Sequence, residues 1–387
     1  MPWTNAWISR LTFASTTGGR WGGGGSSSTD VRSSLALTLS LALRASPARN
    51  TLKFSPTERY GNYSYEDVFL TPLIEVLSSI PADAGDLALT VAGEMGATVT
   101  FYASEWLQVI DRARTRIDAS RPGSQPVSIG IQLNGNKLCG CFETGFIGTY
   151  EEFMQRFEDD FRPEELGIDV QAFVELLKAV DYVGVSAYVA VDDPTSIRAC
   201  EFEDLLIRFD KELAFYNTSI DDITSSGTAL QLAETGIGGG AGQDGKYPAP
   251  DALSAARRPY WGVQGPVKED HSNDPFQMHK CDAAGVCTDS NEIREYRRYF
   301  YEQFSAYLLG EQEDGCLYDS AIEAVYLWAT GSFDVLELYV PDRGYGDPAV
   351  VQTIVDHNAA ARLRNGLASG VDQVVLAPEP ASDPFAS

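Results

Sequence analysis

The sequence predicts an α/β fold, a (β/α)8 TIM barrel, from two observations. The first is a regular alternation of helical and strand-like segments from residue 65 onward, which is typical of βα units around a parallel sheet. The second is an asymmetry between strand faces, one carrying leucine or β-branched side chains and the other small or polar ones. An open sheet covered by helices on both sides is apolar on both faces, so this asymmetry favours a closed barrel with a polar interior at its top.

The strands and helices follow each other along the chain in that alternating order. We predict strands at 87–92, 127–133, 182–188, 229–233 and 324–328. We predict helices at 65–80, 103–117, 150–180, 201–216, 290–309 and 348–364. A further segment at 35–44 has leucine at every odd position; this period of two favours a strand, and the apolar core of a signal peptide is the alternative.

A single catalytic domain is expected over 31–377. Residues 1–30 contain a Gly/Ser run and little hydrophobic periodicity, so we predict a flexible leader, and we predict a loose tail at 378–387. A long loop insertion is expected at 236–288. Few residues remain before the segment at 87–92, so the first βα units of the barrel are expected to be incomplete or degenerate.

The charge of the chain limits its partners. A net charge of −26 opposes phosphate backbones and anionic lipids, which argues against nucleic acid and membrane surfaces and favours a neutral substrate. The chain has only three histidines, so acid and base roles fall to Glu or Asp, and no metal or other cofactor is expected. No run reaches the ~18 apolar residues of a membrane helix. We expect a monomer.

Six cysteines, an even number, permit disulfides. Cys281 and Cys287 bracket a short loop close to His279, and a loop disulfide is favoured over zinc because the spacing matches no standard ligand pattern. The glycosylation sequons at Asn62 and Asn217 suit a secreted protein. We therefore expect an extracellular location.

Polar side chains fall at the carboxyl ends of the predicted strands, where barrel enzymes carry their active sites. The last inward residues are Glu94, Asn134, Tyr188 and Trp328, joined by Arg44 if 35–44 is a strand. Glu234 also ends a strand, but strict alternation puts it on the face of Leu230 and Leu232, so it requires a bulge or a strand end to turn inward.

Four segments, taken in order, resemble the clan A glycoside hydrolases. They are Ala-Gly-Glu94-Met, Val-Asp-Tyr-Val-Gly-Val-Ser-Ala-Tyr188, Ala-Glu234-Thr-Gly and Leu-Trp328-Ala-Thr. In that clan the acid/base glutamate ends the fourth barrel strand and the nucleophile ends the seventh, and the numbering fits here if 35–44 is the third. The resemblance spans roughly residues 85–340 and is similar to endo-acting β-mannanases, β-galactanases and β-glucanases.

The resemblance implies a role for each matched residue. Glu94 corresponds to the acid/base, Glu234 to the nucleophile, Tyr188 to the phenol beside it, and Trp328 to the sugar-stacking platform. Most of the clan has Asn before the acid/base, where this chain has Gly93, and either Asn134 or Gln132 is the candidate to supply the missing amide. The expected reaction is retaining cleavage of a β-linked polysaccharide or oligosaccharide through a covalent intermediate.

Two further aromatic residues, Tyr260 and Trp261, lie in the insertion and suit sugar stacking, although packing under the loop explains them equally well. Trp106 lies in a helical segment and is expected in the core. The main alternative function is a carbohydrate-binding or structural barrel that has lost catalysis, consistent with Gly93 and the short N-terminal part. Metal-dependent hydrolysis is disfavoured because no histidine ends a strand, and phosphate binding because the chain is acidic.

Overall fold

The computed structural model describes a large part of the chain. The described residues are 12–14, 37–40, 49–81, 87–121, 126–135, 138–141, 154–155, 157–159, 161–237, 251–257, 279–281, 287–289, 291–311, 316–318, 321–327 and 347–364.

Nine strands are described in these ranges: β1 Thr12–Ala14, β2 Leu37–Ser40, β3 Leu87–Gly93, β4 Val127–Asn134, β5 Tyr182–Ala187, β6 Ala229–Thr235, β7 His279–Cys281, β8 Cys287–Asp289 and β9 Ile322–Leu327. The α-helices there are α1 Thr71–Ser79, α2 Gly96–Phe101, α3 Ala103–Ser120, α4 Val170–Ala179, α5 Asp204–Ala214, α6 Ile220–Ser225, α7 Ala252–Ala256, α8 Asn291–Leu308 and α9 Pro348–Arg364. A π-helix, Glu66–Leu70, precedes α1, and 3₁₀-helices lie at Arg49–Thr51 and Ala199–Glu203. No helix among the described residues is long and apolar enough to cross a membrane.

The chain divides into two compact units. The sheet unit comprises Ser28–Ala187 and Leu205–Ala233, and the C-terminal unit comprises Met1–Ser27, Tyr188–Asp204 and Glu234–Ser387. Each is described by itself below.

The sheet unit is built on a five-stranded parallel sheet whose spatial order, β2-β3-β4-β5-β6, follows the chain. Consecutive strands therefore neighbour each other, as expected for successive βα units. The leucine-rich segment at 35–44 contributes β2, which pairs in parallel with β3, so its interpretation as a strand is confirmed. The α/β class with a parallel sheet is confirmed as well.

One face of this sheet carries polar groups in its interior, as the face asymmetry predicted. Thr90 Oγ1 and the Tyr182 hydroxyl lie 2.8 Å apart, and both side chains are buried. Gly130 makes room for the Tyr182 ring, because a Cβ at Gly130 would lie 2.4 Å from ring carbons. Tyr182 on β5 therefore requires a residue without a side chain at Gly130 on β4.

The helices of the sheet unit agree with the hydrophobic pattern in one place and depart from it in another. In α3, Trp106 is fully buried together with Val109, Ile110, Ala113 and Ile117, so its assignment to the core is confirmed. The predicted helix over 150–180 is too long, because 161–169 is a turn and loop and α4 begins only after Asp169, whose carboxylate accepts a hydrogen bond from the Ala172 N–H.

In the C-terminal unit, β1 pairs antiparallel with β9. The prediction of a leader without structure over 1–30 did not include β1, and an antiparallel pair differs from the all-parallel pattern of a (β/α)8 barrel. The insertion 236–288 contains α7 and part of the β7–β8 hairpin, in which Cys281 lies opposite Cys287. The disulfide expected between these two cysteines stays a prediction.

Two anchors organise the C-terminal unit. Arg297, which is fully buried, and Arg298 both pair with Asp347 at the start of α9, at 3.0 Å. A disulfide joins Cys200 to Cys316, and beside it the buried Glu203 carboxylate accepts a hydrogen bond from the Leu317 N–H at 2.7 Å. These contacts connect segments more than forty residues apart in the chain.

Candidate active site

Glu94 follows β3 directly and is buried, with 3% of its surface exposed. Its backbone adopts a left-handed conformation with φ of 53°, which is uncommon for a residue with a side chain. The Glu94 N–H donates to the Gln132 carbonyl at 2.9 Å, which ties this turn to β4. The Glu94 carboxylate forms an ion pair with Arg49. Strained backbone beside a buried, paired carboxylate is a feature that clusters at functional sites.

The strand-phase reasoning for Glu94 is wrong, although its position at the strand end is as expected. The β3–β4 register changes from Thr90 opposite Gly130 to Ala92 opposite Ile131, so Val91 is an extra residue. A bulge of this kind reverses which side chains share a face beyond it. Gly93, not Glu94, is in register with Gln132. The left-handed turn at Glu94, and not simple alternation, sets the direction of its side chain.

The segment that carries Arg49 is held in place by Asn50. Asn50 Oδ1 accepts a hydrogen bond from the Gly96 N–H at 2.8 Å, two residues after Glu94. A Cβ at Gly96 would collide with this Oδ1 and with the Leu138 carbonyl, and a Cβ at Gly140 would collide with the Asn50 carbonyl. Both glycines therefore permit a close approach of backbone that larger residues would prevent.

The loop at 138–141, which lies against Asn50, is held in place by two further bonds. A disulfide joins Cys139 to Cys141, and the Leu138 N–H donates to the buried Glu212 carboxylate at 2.7 Å. The packing around Arg49 therefore extends through Asn50 and this loop to α5.

Glu234 belongs to β6 and has 9% of its surface exposed. The Tyr188 hydroxyl donates to Glu234 Oε2 at 3.3 Å, and both residues belong to the C-terminal unit. In the sheet unit, a Cβ at Gly184 would lie 2.7 Å from the Ala233 Cβ, so Ala233 lies on the same face as Gly184. Alternation therefore directs Glu234 to the opposite face, as the sequence predicted, and the contact with Tyr188 is made from the end of the strand.

Gln132 lies on β4 and is buried, with 1% exposed. Its Nε2 donates to Ser186 Oγ at 2.9 Å, and its Oε1 has no hydrogen-bond partner among the described residues. A buried amide oxygen without a donor is costly, which makes this atom a candidate acceptor for a ligand hydroxyl. Asn134, two residues further along β4, is half-buried.

The described residues do not include every predicted site residue. Arg44, Tyr260, Trp261 and Trp328 lie outside them. Within each unit, the structure brings Glu234 together with Tyr188, and Glu94 with the Gln132 main chain. Arg49, Asn50 and Ser186 are site residues that sequence reasoning missed, and no local pattern marks them.

One cluster in the described part of the chain has the composition of a metal site. Cys200, Glu203 and Cys316 bring potential ligand atoms within 4.8 Å of one another. The two cysteines form a disulfide, and the Glu203 carboxylate already accepts backbone hydrogen bonds. The cluster is thus occupied by its own covalent and hydrogen bonds.

Comparison with known proteins gives little guidance. No protein family matches the sequence, and no curated protein matches it. A solved structure described as a complex of a GH113 β-1,4-mannanase is similar with a TM-score of 0.35 and 10% sequence identity, over 80% of this chain and 67% of that chain. A TM-score of 0.35 is too low to establish a shared fold.

Proposed function

We propose that this protein is a retaining glycoside hydrolase that cleaves β-linked polysaccharide or oligosaccharide, with Glu94 as acid/base and Glu234 as nucleophile. The observation that carries the proposal is a pair of buried glutamates at the carboxyl ends of β3 and β6, each with a fixed polar partner. Carboxylates at strand ends of a parallel α/β sheet are the usual location of catalysis in such folds.

The proposed reaction has two steps. The Glu234 carboxylate attacks the anomeric carbon while the Glu94 carboxylic acid gives its proton to the departing glycosidic oxygen, so the bond to the leaving sugar breaks and a glycosyl-enzyme ester forms. Glu94, now ionised, then takes a proton from water, whose oxygen displaces Glu234. The Tyr188 hydroxyl orients Glu234 for attack through its hydrogen bond. The Gln132 Oε1 is a candidate acceptor for a sugar hydroxyl.

The proposed mechanism requires the ends of β3 and β6 to lie close together. Glu94 and Glu234 end strands that are separated by β4 and β5, and three inter-strand steps of about 4.8 Å amount to roughly 14 Å on a flat sheet. Retention requires carboxyl groups ~5 Å apart. We therefore propose that the sheet belongs to a (β/α)8 barrel, in which curvature brings strand ends together.

A second candidate function is a carbohydrate-binding protein of the same fold that has lost catalysis, and two observations favour it. Gly93 stands where the resemblance calls for Asn, so its amide is missing. Arg49 occupies the Glu94 carboxylate in an ion pair, whereas the first step needs this carboxyl beside the glycosidic oxygen. In an active enzyme, Arg49 must therefore move away from Glu94 when the substrate binds.

We also propose an extracellular location and a neutral carbohydrate as the partner, with neither nucleic acid nor a membrane, and a monomeric state. The two disulfides, Cys139–Cys141 and Cys200–Cys316, support an oxidising compartment. The net charge of −26 supports a neutral ligand.

A screen of purified protein on β-mannan, β-galactan and β-glucan, with release of reducing sugar as the readout, tests the proposed function. We expect turnover on at least one polysaccharide, and a loss of about a thousandfold or more in Glu94→Gln and in Glu234→Gln, as each removes a catalytic carboxyl. The variant Glu75→Gln, which alters an exposed glutamate, is the matched control and should keep full activity. Binding without turnover would favour the second candidate.

A further inference from the structure

Two exposed tyrosines stand together on one turn of the sheet unit. Tyr60 and Tyr63 have 54% and 64% of their surfaces exposed. They pair across an antiparallel bridge, with the Tyr60 N–H donating to the Tyr63 carbonyl at 2.9 Å. Side chains of directly opposed residues in such a pair lie on the same face, with Cβ atoms about 4.5–5.5 Å apart. The turn thus presents two aromatic rings side by side to solvent.

The turn itself is firmly anchored. Gly61 adopts a φ of 71°, which a tight two-residue connection requires. On the C-terminal side, Ser64 and Asp67 exchange hydrogen bonds in a reciprocal cap, and the buried Tyr65 hydroxyl donates to the Val91 carbonyl of β3. The rings therefore project from backbone that is fixed to the core, which reduces the entropy lost when a ligand binds.

In the described part of the chain, both tyrosines keep more than half of their surface in water. Single exposed apolar residues are ordinary, but a rigid pair on one face is a feature of binding surfaces. The Tyr60 hydroxyl donates to Glu58 Oε2 at 3.1 Å, which fixes the direction of that ring and leaves carboxylate lone pairs for a ligand hydroxyl. Asn62, also exposed, lies between the two tyrosines in the chain and adds an amide to the turn.

We propose that Tyr60 and Tyr63 form a surface binding site for a neutral glycan chain. Aromatic faces pack on the apolar faces of sugar rings, and the spacing of the pair is close to the length of one hexose in an extended chain. The neighbouring Glu58 and the net charge of −26 disfavour a polyanion. The patch is too small for a stable protein interface. The choice of a glycan rests on the proposed function, and the site would retain polymer for the catalytic glutamates.

Electrophoresis through native gels that contain soluble β-mannan, β-galactan or β-glucan tests the site. The protein is produced in a bacterial host, so that Asn62 stays without an N-glycan. We expect at least one polysaccharide to retard the wild type, and Tyr60→Ala/Tyr63→Ala to bind it roughly 30-fold more weakly, since each ring contributes from a few-fold to about tenfold. Tyr60→Phe/Tyr63→Phe keeps both rings and should keep most of the binding.

The control is Val68→Ala/Val76→Ala, which removes two exposed apolar side chains from the same unit and should not change the retardation. Each variant is checked for an unchanged circular dichroism spectrum. Equal retardation of the wild type and the Tyr60→Ala/Tyr63→Ala variant, or the absence of retardation by every polysaccharide, overturns this inference. So does a change in oligomeric state of that variant in size-exclusion chromatography. If the two tyrosines are required for retardation but the protein shows no turnover, the binding site stands and only the proposed function is overturned.

Discussion

Replacement of Arg49 by alanine should destabilise the protein through Glu94. Glu94 keeps only 4% of its side-chain surface exposed, so Arg49→Ala leaves a buried carboxylate without its counter-charge. Loss of one partner of a fully buried pair costs about 3–5 kcal/mol, and because the Arg49 side chain is 27% exposed we expect a smaller loss of ~2–3 kcal/mol in the free energy of unfolding. The double variant Arg49→Ala/Glu94→Gln should recover part of this loss, since no unpaired charge remains.

Urea unfolding of the four proteins in this cycle measures the coupling. The matched control is Arg59→Ala, which removes an arginine from the exposed pair with Asp67 and should change the stability little. If Arg49→Ala and Arg59→Ala have the same small effect, or if the double variant loses the sum of the single losses, the ion pair does not stabilise the fold and the reasoning is refuted.

Three further predictions follow from the contacts described. Glu94→Ala should lose most activity on substrates with poor leaving groups, and azide should restore part of this activity by attacking the glycosyl-enzyme. Product release is measured with and without the anion. The absence of rescue at every azide concentration contradicts the acid/base role. Tyr188→Phe removes the donor to Glu234 and should lower kcat by about tenfold to a hundredfold with little change in KM, and an unchanged kcat contradicts the positioning role. Burial raises the pKa of the Asp347 carboxyl, but hydrogen bonds from Arg298 and Arg297 outweigh burial and hold the pKa below its usual value. Asp347 therefore contributes stability above about pH 4, and this contribution is lost as the pH falls through the lowered pKa. In unfolding measurements across pH, Asp347→Asn should lower the free energy of unfolding by about 3–5 kcal/mol at neutral pH. It should also make the free energy of unfolding less dependent on pH in the acid range.

The parallel strands were predictable because each is a short apolar run with a period of two between helical segments. The predicted starts at 87, 127, 182 and 229 coincide with those of β3, β4, β5 and β6. The period also identified β2, whose pairing with β3 confirms that Leu37–Ser40 forms a strand. Hydrophobic periodicity is a strong signal where one face of a strand meets the core.

Short and irregular elements escaped prediction for physical reasons. α2, Gly96–Phe101, contains β-branched residues and glycine, which favour other conformations, and it forms a helix because it is buried. β1 has only three residues and depends on its pairing with β9. The bulge at Val91 changes the β3 phase without any local signal, so strict alternation gave the wrong reason for the direction of Glu94.

The candidate site shows the same division between local and tertiary information. Glu94, Glu234 and Tyr188 were identified because they end strands. Arg49 lies 45 positions before its partner in a segment without periodicity, so only the folded chain reveals the ion pair. The unpartnered Gln132 oxygen likewise depends on the arrangement of β3, β4 and β5.

The most direct test of the proposed mechanism is to trap its covalent intermediate. The protein is incubated with a 2-deoxy-2-fluoro glycoside of the sugar that it cleaves, with a dinitrophenyl leaving group, and its peptides are analysed by mass spectrometry. Fluorine at C2 slows both the formation and the hydrolysis of the intermediate, and the good leaving group speeds only its formation, so the intermediate accumulates. We predict the sugar mass on the peptide that contains Glu234, and no label in Glu234→Gln. A label on another residue, or hydrolysis with inversion and no label, would contradict the proposal.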